Sequence, residues 1–169
     1  MTLEIRPAAR ADAEAIATIY DWYIEHTPIT FDLEPLSPGR RDAWFDEHPG
    51  GRHLALVAIE GPDVLGYATS GRFRSRPAYD PSVETSVYIR HDHVGERIGS
   101  RLYAALFAHL EHEDVHRAFA GIALPNVASE VLHARFGFRH VGTFTEQGRK
   151  FGRYWDVAWF EREMPGARP

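Results

Sequence analysis

Apolar and polar residues alternate between Ser82 and Arg90. Val83, Thr85, Val87 and Ile89 fall on one side, and Glu84, Ser86, Tyr88 and Arg90 on the other. That pattern predicts a strand with one face on a core. Downstream the period becomes helical, with Ile98, Leu102, Ala105, Leu106 and Leu110 on one stripe. A short loop carrying Gly95 and Gly99 joins the two. The rest of the chain is arranged around this strand–loop–helix unit.

Upstream, Leu3 to Arg6 predicts a short strand stopped by Pro7. Ala11 to Glu25 predicts a helix, with Ile16, Ile19, Tyr20 and Tyr23 on its buried stripe. The segment HTPITFDLEPLSPG has too many prolines for a regular element and is expected as a surface loop. Ser37 as cap and Pro38 in the first turn open a second helix, buried at Trp44 and Phe45 and ended at Pro49-Gly50-Gly51. Residues 53–60 and 64–74 form two strands turning at Gly61-Pro62-Asp63. After the central helix, Ala118 to Leu124 is a short buried strand. Asn126 caps a helix that Gly137 ends, and Phe138–Glu146 and Tyr154–Arg162 close the chain as a hairpin across QGRKFGR. The order β-α-α-β-β-β-α-β-α-β-β implies a mixed α/β (α+β) fold with helices over a largely antiparallel sheet, in one domain spanning 1–169.

Two features of the central unit carry chemistry. Glutamate is depleted in strands, so Glu84 within one needs a reason. A glycine-bearing loop feeding a helix presents unpaired N–H groups and the positive end of the dipole to an anion. Together they suggest a phosphate-bearing cofactor held beside a general base.

Composition narrows the partners. The 169 residues, 44% hydrophobic and 25% charged, suit a soluble globular chain. Zero cysteines exclude disulfides, thiolate metal sites and a cysteine nucleophile. A net charge of -5 argues against a general nucleic-acid binder. No apolar run approaches the ~18 residues of a membrane span, and the N-terminus lacks a signal-peptide layout, so a cytoplasmic location is expected.

The stretches TPITFDLEP, VETSVYI, GERIGSRLYAALF, GIALPNVASEVLHARFGF and GRKFGRYWDVAWF, in this order, resemble the GNAT superfamily of acetyl-CoA-dependent N-acetyltransferases. Within it the chain looks most like the phosphinothricin N-acetyltransferase family. The resemblance covers nearly the whole chain and implies a GNAT-like fold. It also implies acetyl transfer from acetyl-CoA to the α-amine of a small amino-acid-like acceptor, by direct attack in a ternary complex. A homodimer is expected as well, with Trp155, Trp159 and Phe160 either an apolar patch or simply core. The superfamily's cofactor-loop pattern is Gln or Arg, two residues, Gly, one residue, Gly or Ala. The matching positions are Val94, Arg97 and Gly99, so the first two are replaced and Gly95 lies between them.

The resemblance assigns roles residue by residue. Glu84 matches the general base; by itself it reads equally well as a solvated strand glutamate. His133 matches the acid that returns a proton to the coenzyme A thiolate, against the alternative of a satisfied helix histidine. Tyr88, on Glu84's strand face, is a second acid candidate or a pocket wall. Val87, Tyr88 and Ile89 would contact the pantetheine arm. Val94, Gly95, Glu96, Arg97, Ile98, Gly99 and Ser100 would cradle the pyrophosphate, and Asn126 and Ser129 would add contacts from the later helix. Thr30 and Phe31 match a substrate-covering loop, although Phe31 also suits a core. Arg72, Arg74 and Arg76 share a face if their strand persists, and would then hold a carboxylate or phosphinate; a solvated strand end is the alternative. His109, His112 and His116 share helical spacing, yet nothing in the sequence completes a metal site, and none is expected. Other readings stay open: acetylation of a protein N-terminus or another amine such as a polyamine, and a non-catalytic acyl-CoA-binding sensor.

Overall fold

The computed structural model of the chain describes residues 2–165; Met1 and residues 166–169, which the expected 1–169 domain includes, lie outside the described residues. Among the described residues one seven-stranded sheet runs in the order β1-β2-β3-β4-β5-β7-β6. The strands are β1 Glu4–Pro7, β2 Ala55–Glu60, β3 Asp63–Arg72, β4 Ser82–Ile89, β5 Arg117–Ala123, β6 Arg139–Lys150 and β7 Arg153–Glu163. Every neighbouring pair is antiparallel except β4 with β5, which is parallel. The helices are α1 Ala13–His26, α2 Pro38–Asp46, α3 Ile98–Leu110 and α4 Val127–Arg135. Element order and mixed α/β class are as expected.

The sheet buries both faces. On one, Leu102, Tyr103, Leu106 and Leu110 of α3 pack on Leu54, Leu56, Val83 and Ala118, with Leu132 of α4 at the margin. On the other, Ile16, Ile19 and Tyr23 of α1 pack on Val57 and Tyr67, and Trp44 and Phe45 of α2 rest partly buried against them. The period-two reading of β4 explains the split: Val83, Val87 and Ile89 join the α3 face, and Tyr88 joins the α1 face.

Capping follows sequence where sequence supplies caps. The Ser37 side chain accepts the Arg40 N–H at the start of α2, and Asn126 Oδ1 accepts the Ser129 N–H at 3.2 Å at the start of α4. Ahead of α1, Asp12 is held by both guanidinium nitrogens of Arg6, at 2.7 and 2.8 Å.

Three expectations change. β3 ends at Arg72 rather than residue 74. QGRKFGR is mostly strand: β6 runs to Lys150, and only Phe151 and Gly152, both at positive φ (54° and 73°), make the turn. Gly148 is not a turn residue; a Cβ there would overlap the Phe31 ring, so it lets the hairpin close against the loop after α1. The supposed patch of Trp155, Trp159 and Phe160 is absorbed. Phe160 is buried, Trp159 lies over Gly121, and Trp155 Nε1 donates to the Lys150 carbonyl.

Candidate active site

β4 and β5 pair at only three positions, Ser82↔Arg117, Val83↔Ala118 and Glu84↔Phe119. Beyond Glu84 and Phe119 the strands part. A cleft of about 380 Å³ fills the fork, with Thr85–Ile89 on one wall, Ala120–Ala123 on the other, and Tyr103, Asn126, Ser129 and His133 also lining it. Past the fork β4 stays paired to β3 as far as Ile89 and has no ladder partner on its β5 side. An extended ligand arm laid in the fork meets backbone without ladder partners, of which the Ile89 carbonyl already accepts from the Tyr23 hydroxyl at 2.7 Å.

The cleft reaches Val94 and Gly99, where α3 begins. Unlike α2 and α4, α3 has no side-chain cap. Its first internal bond is Arg101 N–H to the Arg97 carbonyl, 3.2 Å, so the N–H groups of Ile98, Gly99 and Ser100 lie ahead of the ladder. Gly95 has φ 97° and Arg97 φ 62°. The left-handed turn that glycine adopts freely is thus kept by an arginine, at roughly 1–2 kcal/mol. That cost, and an uncapped helix start facing a cleft, fit a bound diphosphate better than a helix end in water. Glu96 is exposed and lies 3.1 Å from His93, pointing its charge at a neighbour of the loop.

Glu84 projects from β4 on the face opposite α3. It is half-buried beside its cross-strand partners Gly71 and Phe119, and Phe119 is stacked at 4.3 Å on Phe73. Burial pushes its carboxyl above the ordinary value, and among the described residues only Arg74 pulls it back. No hydrogen bond fixes the carboxylate among the described residues, and Glu84 adjoins Thr85, the first β4 residue of the cleft wall, without itself being a lining residue of that cleft.

His133 is not a lone histidine. Its Nδ1 lies 2.8 Å from the Ser129 carbonyl, which only accepts, so Nδ1 carries the hydrogen. Nε2 then accepts from the Tyr103 hydroxyl at 2.9 Å. Burial lowers the His133 pKa, keeping the ring neutral near pH 7. Tyr103, fully buried on α3, also lines the cleft and lies 3.5 Å from Thr85 Oγ1. The sequence pattern does not single it out, because its partner is 30 residues away on another helix.

The arginine cluster does not form. Arg72 pairs with Val83, so its side chain leaves the sheet on the face away from Glu84. Arg76 sits beyond the strand, before the turn Pro77–Tyr79. Arg74 lies over Phe73 and is the one whose charge reaches Glu84. Thr30 is buried: its hydroxyl meets Tyr20 Oη at 2.6 Å, and its carbonyl accepts from Lys150 Nζ at 2.7 Å. Lys150, 4% exposed, was missed because it seemed to lie in a loop; burial lowers its pKa. It pins the Thr30–Phe31 segment to the closing hairpin. His109 is engaged by the Gly51 carbonyl and Glu113, and no group of metal-ligating side chains gathers among the described residues.

A second cleft, about 290 Å³, lies between α1, α2 and the β3–β4 surface, and meets the first at Ser86 and Tyr88. Tyr88 points its ring here, against Tyr20, Tyr23 and Tyr67. Its phenol is pushed well up by burial.

A forked sheet, an uncapped helix start on its cleft and a raised carboxyl at the branch point fit group transfer from an acyl or phosphoryl carrier. Residues 5–159 match the family described as "Acetyltransferase (GNAT) domain", and the chain belongs to that family. It is 53% identical over 165 residues to the phosphinothricin N-acetyltransferase of Streptomyces coelicolor, covering 96% of both chains. It is 34% identical over 169 residues to the L-methionine sulfoximine/L-methionine sulfone acetyltransferase of Pseudomonas aeruginosa, covering 99% of this chain and 98% of that one. The crystal structure of a GNAT superfamily phosphinothricin acetyltransferase from Sinorhizobium meliloti in complex with acetyl-CoA superimposes with a TM-score of 0.92 at 29% identity, covering 100% of this chain and 94% of that chain. No helix among the described residues is long and apolar enough to cross a membrane.

Proposed function

We propose that this GNAT enzyme transfers acetyl from acetyl-CoA to the α-amine of a small amino-acid-like acceptor of the phosphinothricin or methionine sulfoximine kind, by direct attack in a ternary complex. The observation that carries the reading is the placement of Glu84 at the last β4–β5 pair, where the cleft opens. There a carboxylate meets an amine on one side of β4 and a thioester on the other.

Acetyl-CoA fits the fork. The free side of Val87, Tyr88 and Ile89 hydrogen-bonds the pantetheine arm and the charge that develops on the thioester oxygen. Ile98, Gly99 and Ser100 offer N–H groups to the pyrophosphate, Val94, Gly95 and Glu96 shape the approach, and Arg97 adds a cation. Asn126 and Ser129 border the arm from α4. Glu84, with its raised pKa, takes the ammonium proton, and the amine nitrogen bonds to the acetyl carbon. As the C–S bond breaks, the thiolate takes the Tyr103 hydroxyl proton; the acetylated nitrogen sheds its remaining extra proton to water, and water returns one to Tyr103, whose hydroxyl the neutral His133 orients. Tyr88 is a wall of the acceptor site rather than the acid. Thr30 and Phe31 cover that site, and Arg74 faces an acceptor anion.

A homodimer rests on β6 rather than on the tryptophans. β6 is an edge strand, exposed along most of its 12 residues, with Val141 and Phe144 54% and 55% exposed. Sedimentation at micromolar concentration near the 19.2 kDa monomer mass would rule it out. Thiol release from acetyl-CoA with a panel of amino acids, phosphinothricin and methionine sulfoximine, against peptides and polyamines, tests the acceptor class. Turnover with the peptides or polyamines alone defeats the reading.

A further inference from the structure

The loop between α1 and α2 supplies walls to both clefts. Thr27 and Ile29 line the first, Asp32 and Leu36 the second. Thr30 and Phe31 are the crossing point between them. From α1, Tyr20 holds that crossing. Its hydroxyl donates to Asp32 Oδ2 at 2.7 Å and accepts from Thr30 Oγ1 at 2.6 Å, and the Asp32 N–H closes the ring on Thr30 Oγ1 at 3.2 Å. From the other side the closing hairpin holds it twice. Lys150 Nζ donates to the Thr30 carbonyl at 2.7 Å, and the Phe31 ring lies so close over Gly148 that a Cβ there would overlap it. β6 bulges just before these two residues: 145–147 stand opposite Asp156 alone, between the pairs Phe144↔Val157 and Gly148↔Trp155.

The choice of residue at the pin is informative. The chain has 19 lysines and arginines, and Lys150 is its one lysine. It is 4% exposed, and among the described residues no carboxylate lies within ion-pair distance of its ammonium. Burying an unpaired cation is destabilising, so a neutral side chain of the same length would pack there at less cost. A guanidinium would bring five donors in a flat fork to a single carbonyl, whereas an ammonium is a point donor. Lys150 itself lines neither cleft. We propose that Lys150 is a positioning residue for the acceptor: its ammonium, donated to the Thr30 carbonyl, fixes the crossing point of the loop, so that the segment from Thr27 to Leu36 walls both clefts at once. The assignment rests on the acetyltransferase reading for what the clefts hold. It adds that the closing hairpin governs acceptor binding without touching the acceptor.

Lys150→Met keeps the length of the side chain and removes its charge. Thiol-release kinetics with phosphinothricin should show acceptor kcat/KM lowered roughly 10- to 100-fold, the size of one hydrogen bond to a charged group, chiefly through acceptor KM. Calorimetry should show coenzyme A affinity unchanged, because the start of α3 is built from other segments. Gly148→Ala disturbs the same crossing through Phe31 with the ammonium intact, and should give the same pattern. If one variant fails to fold, the other carries the comparison. Wild type supplies an independent reading: lysine-labelled protein gives a single lysine side-chain NMR signal, and adding acceptor to the coenzyme A complex should shift it. An unshifted signal overturns the proposal. So does a folded Lys150→Met enzyme with the wild-type acceptor KM, or one whose loss falls equally on acceptor and coenzyme A. Wild-type turnover of amino acids tests the acceptor reading by itself. Turnover of peptides or polyamines alone defeats that reading, and the same variants assayed with those amines still test Lys150.

Discussion

Glu84 and Phe119 are the last cross-strand partners of β4 and β5. One residue further the sheet divides, so the Glu84 carboxylate stands where backbone pairing gives way to an open cleft. Its raised pKa follows from burial, and among the described residues Arg74 is the charge that pulls it back. An ion held there costs stability.

That cost is measurable. With its pKa raised on folding, the Glu84 carboxyl binds its proton more tightly in the folded chain. Folding is therefore favoured below the ordinary carboxylate value and loses ground as pH rises through the folded value. Glu84→Gln should raise the melting temperature at pH 7. The gain should vanish in acid, where wild type carries the proton too. Thermal melts at pH 7 and pH 4 check this.

Asp12 works the other way. Arg6 grips its carboxylate with two hydrogen bonds, the Ala9 N–H adds a third, and its pKa falls below the usual range. The contribution is full above the unfolded value near ~4 and is lost as pH falls through the depressed folded one. Asp12→Asn should cost about 1.5–3 kcal/mol at pH 7. Urea titrations should show the deficit shrinking below pH 4.

The Tyr103–His133 pair predicts a coupled loss. Tyr103→Phe and His133→Ala should each lower kcat, and the double variant should lose little more than either, because both break one proton path. The deficit should narrow above the thiol's reference pKa near ~8.5, where the thiolate leaves unaided. Additive losses, or a deficit flat with pH, would assign the pair a packing role.

Much of this was legible in the chain. Alternation placed Glu84 on the face away from α3, and Ser37 and Asn126 named their helix starts. Tyr103 was not legible, because helical spacing says nothing of a hydroxyl facing His133 on another helix. Nor was the end of β3: alternating arginines look the same on a strand as on the turn that follows it. Lys150 and Gly148 were hidden for a related reason. Glycine-rich strand and glycine-rich loop share a composition, and only the contact with Phe31 distinguishes them.

At the cofactor loop, Gly99→Glu should weaken acetyl-CoA and coenzyme A together. It sets a negative charge at the uncapped start of α3, and its side chain meets Leu132, 3.4 Å from the new Cβ. Calorimetry showing wild-type affinity would put the pyrophosphate elsewhere.

The base assignment is the centre of the account, and the pH–rate profile of Glu84→Gln is its most direct test. The glutamine keeps the size and one acceptor oxygen but cannot take the ammonium proton. With the best acceptor at pH 7, kcat/KM should fall ~100- to 10,000-fold while acetyl-CoA still binds. The residual rate should keep climbing with pH as free amine accumulates, whereas wild type levels off. A Glu84→Gln enzyme with the wild-type rate and profile at pH 7 would contradict the account and leave Glu84 a structural or substrate-binding residue.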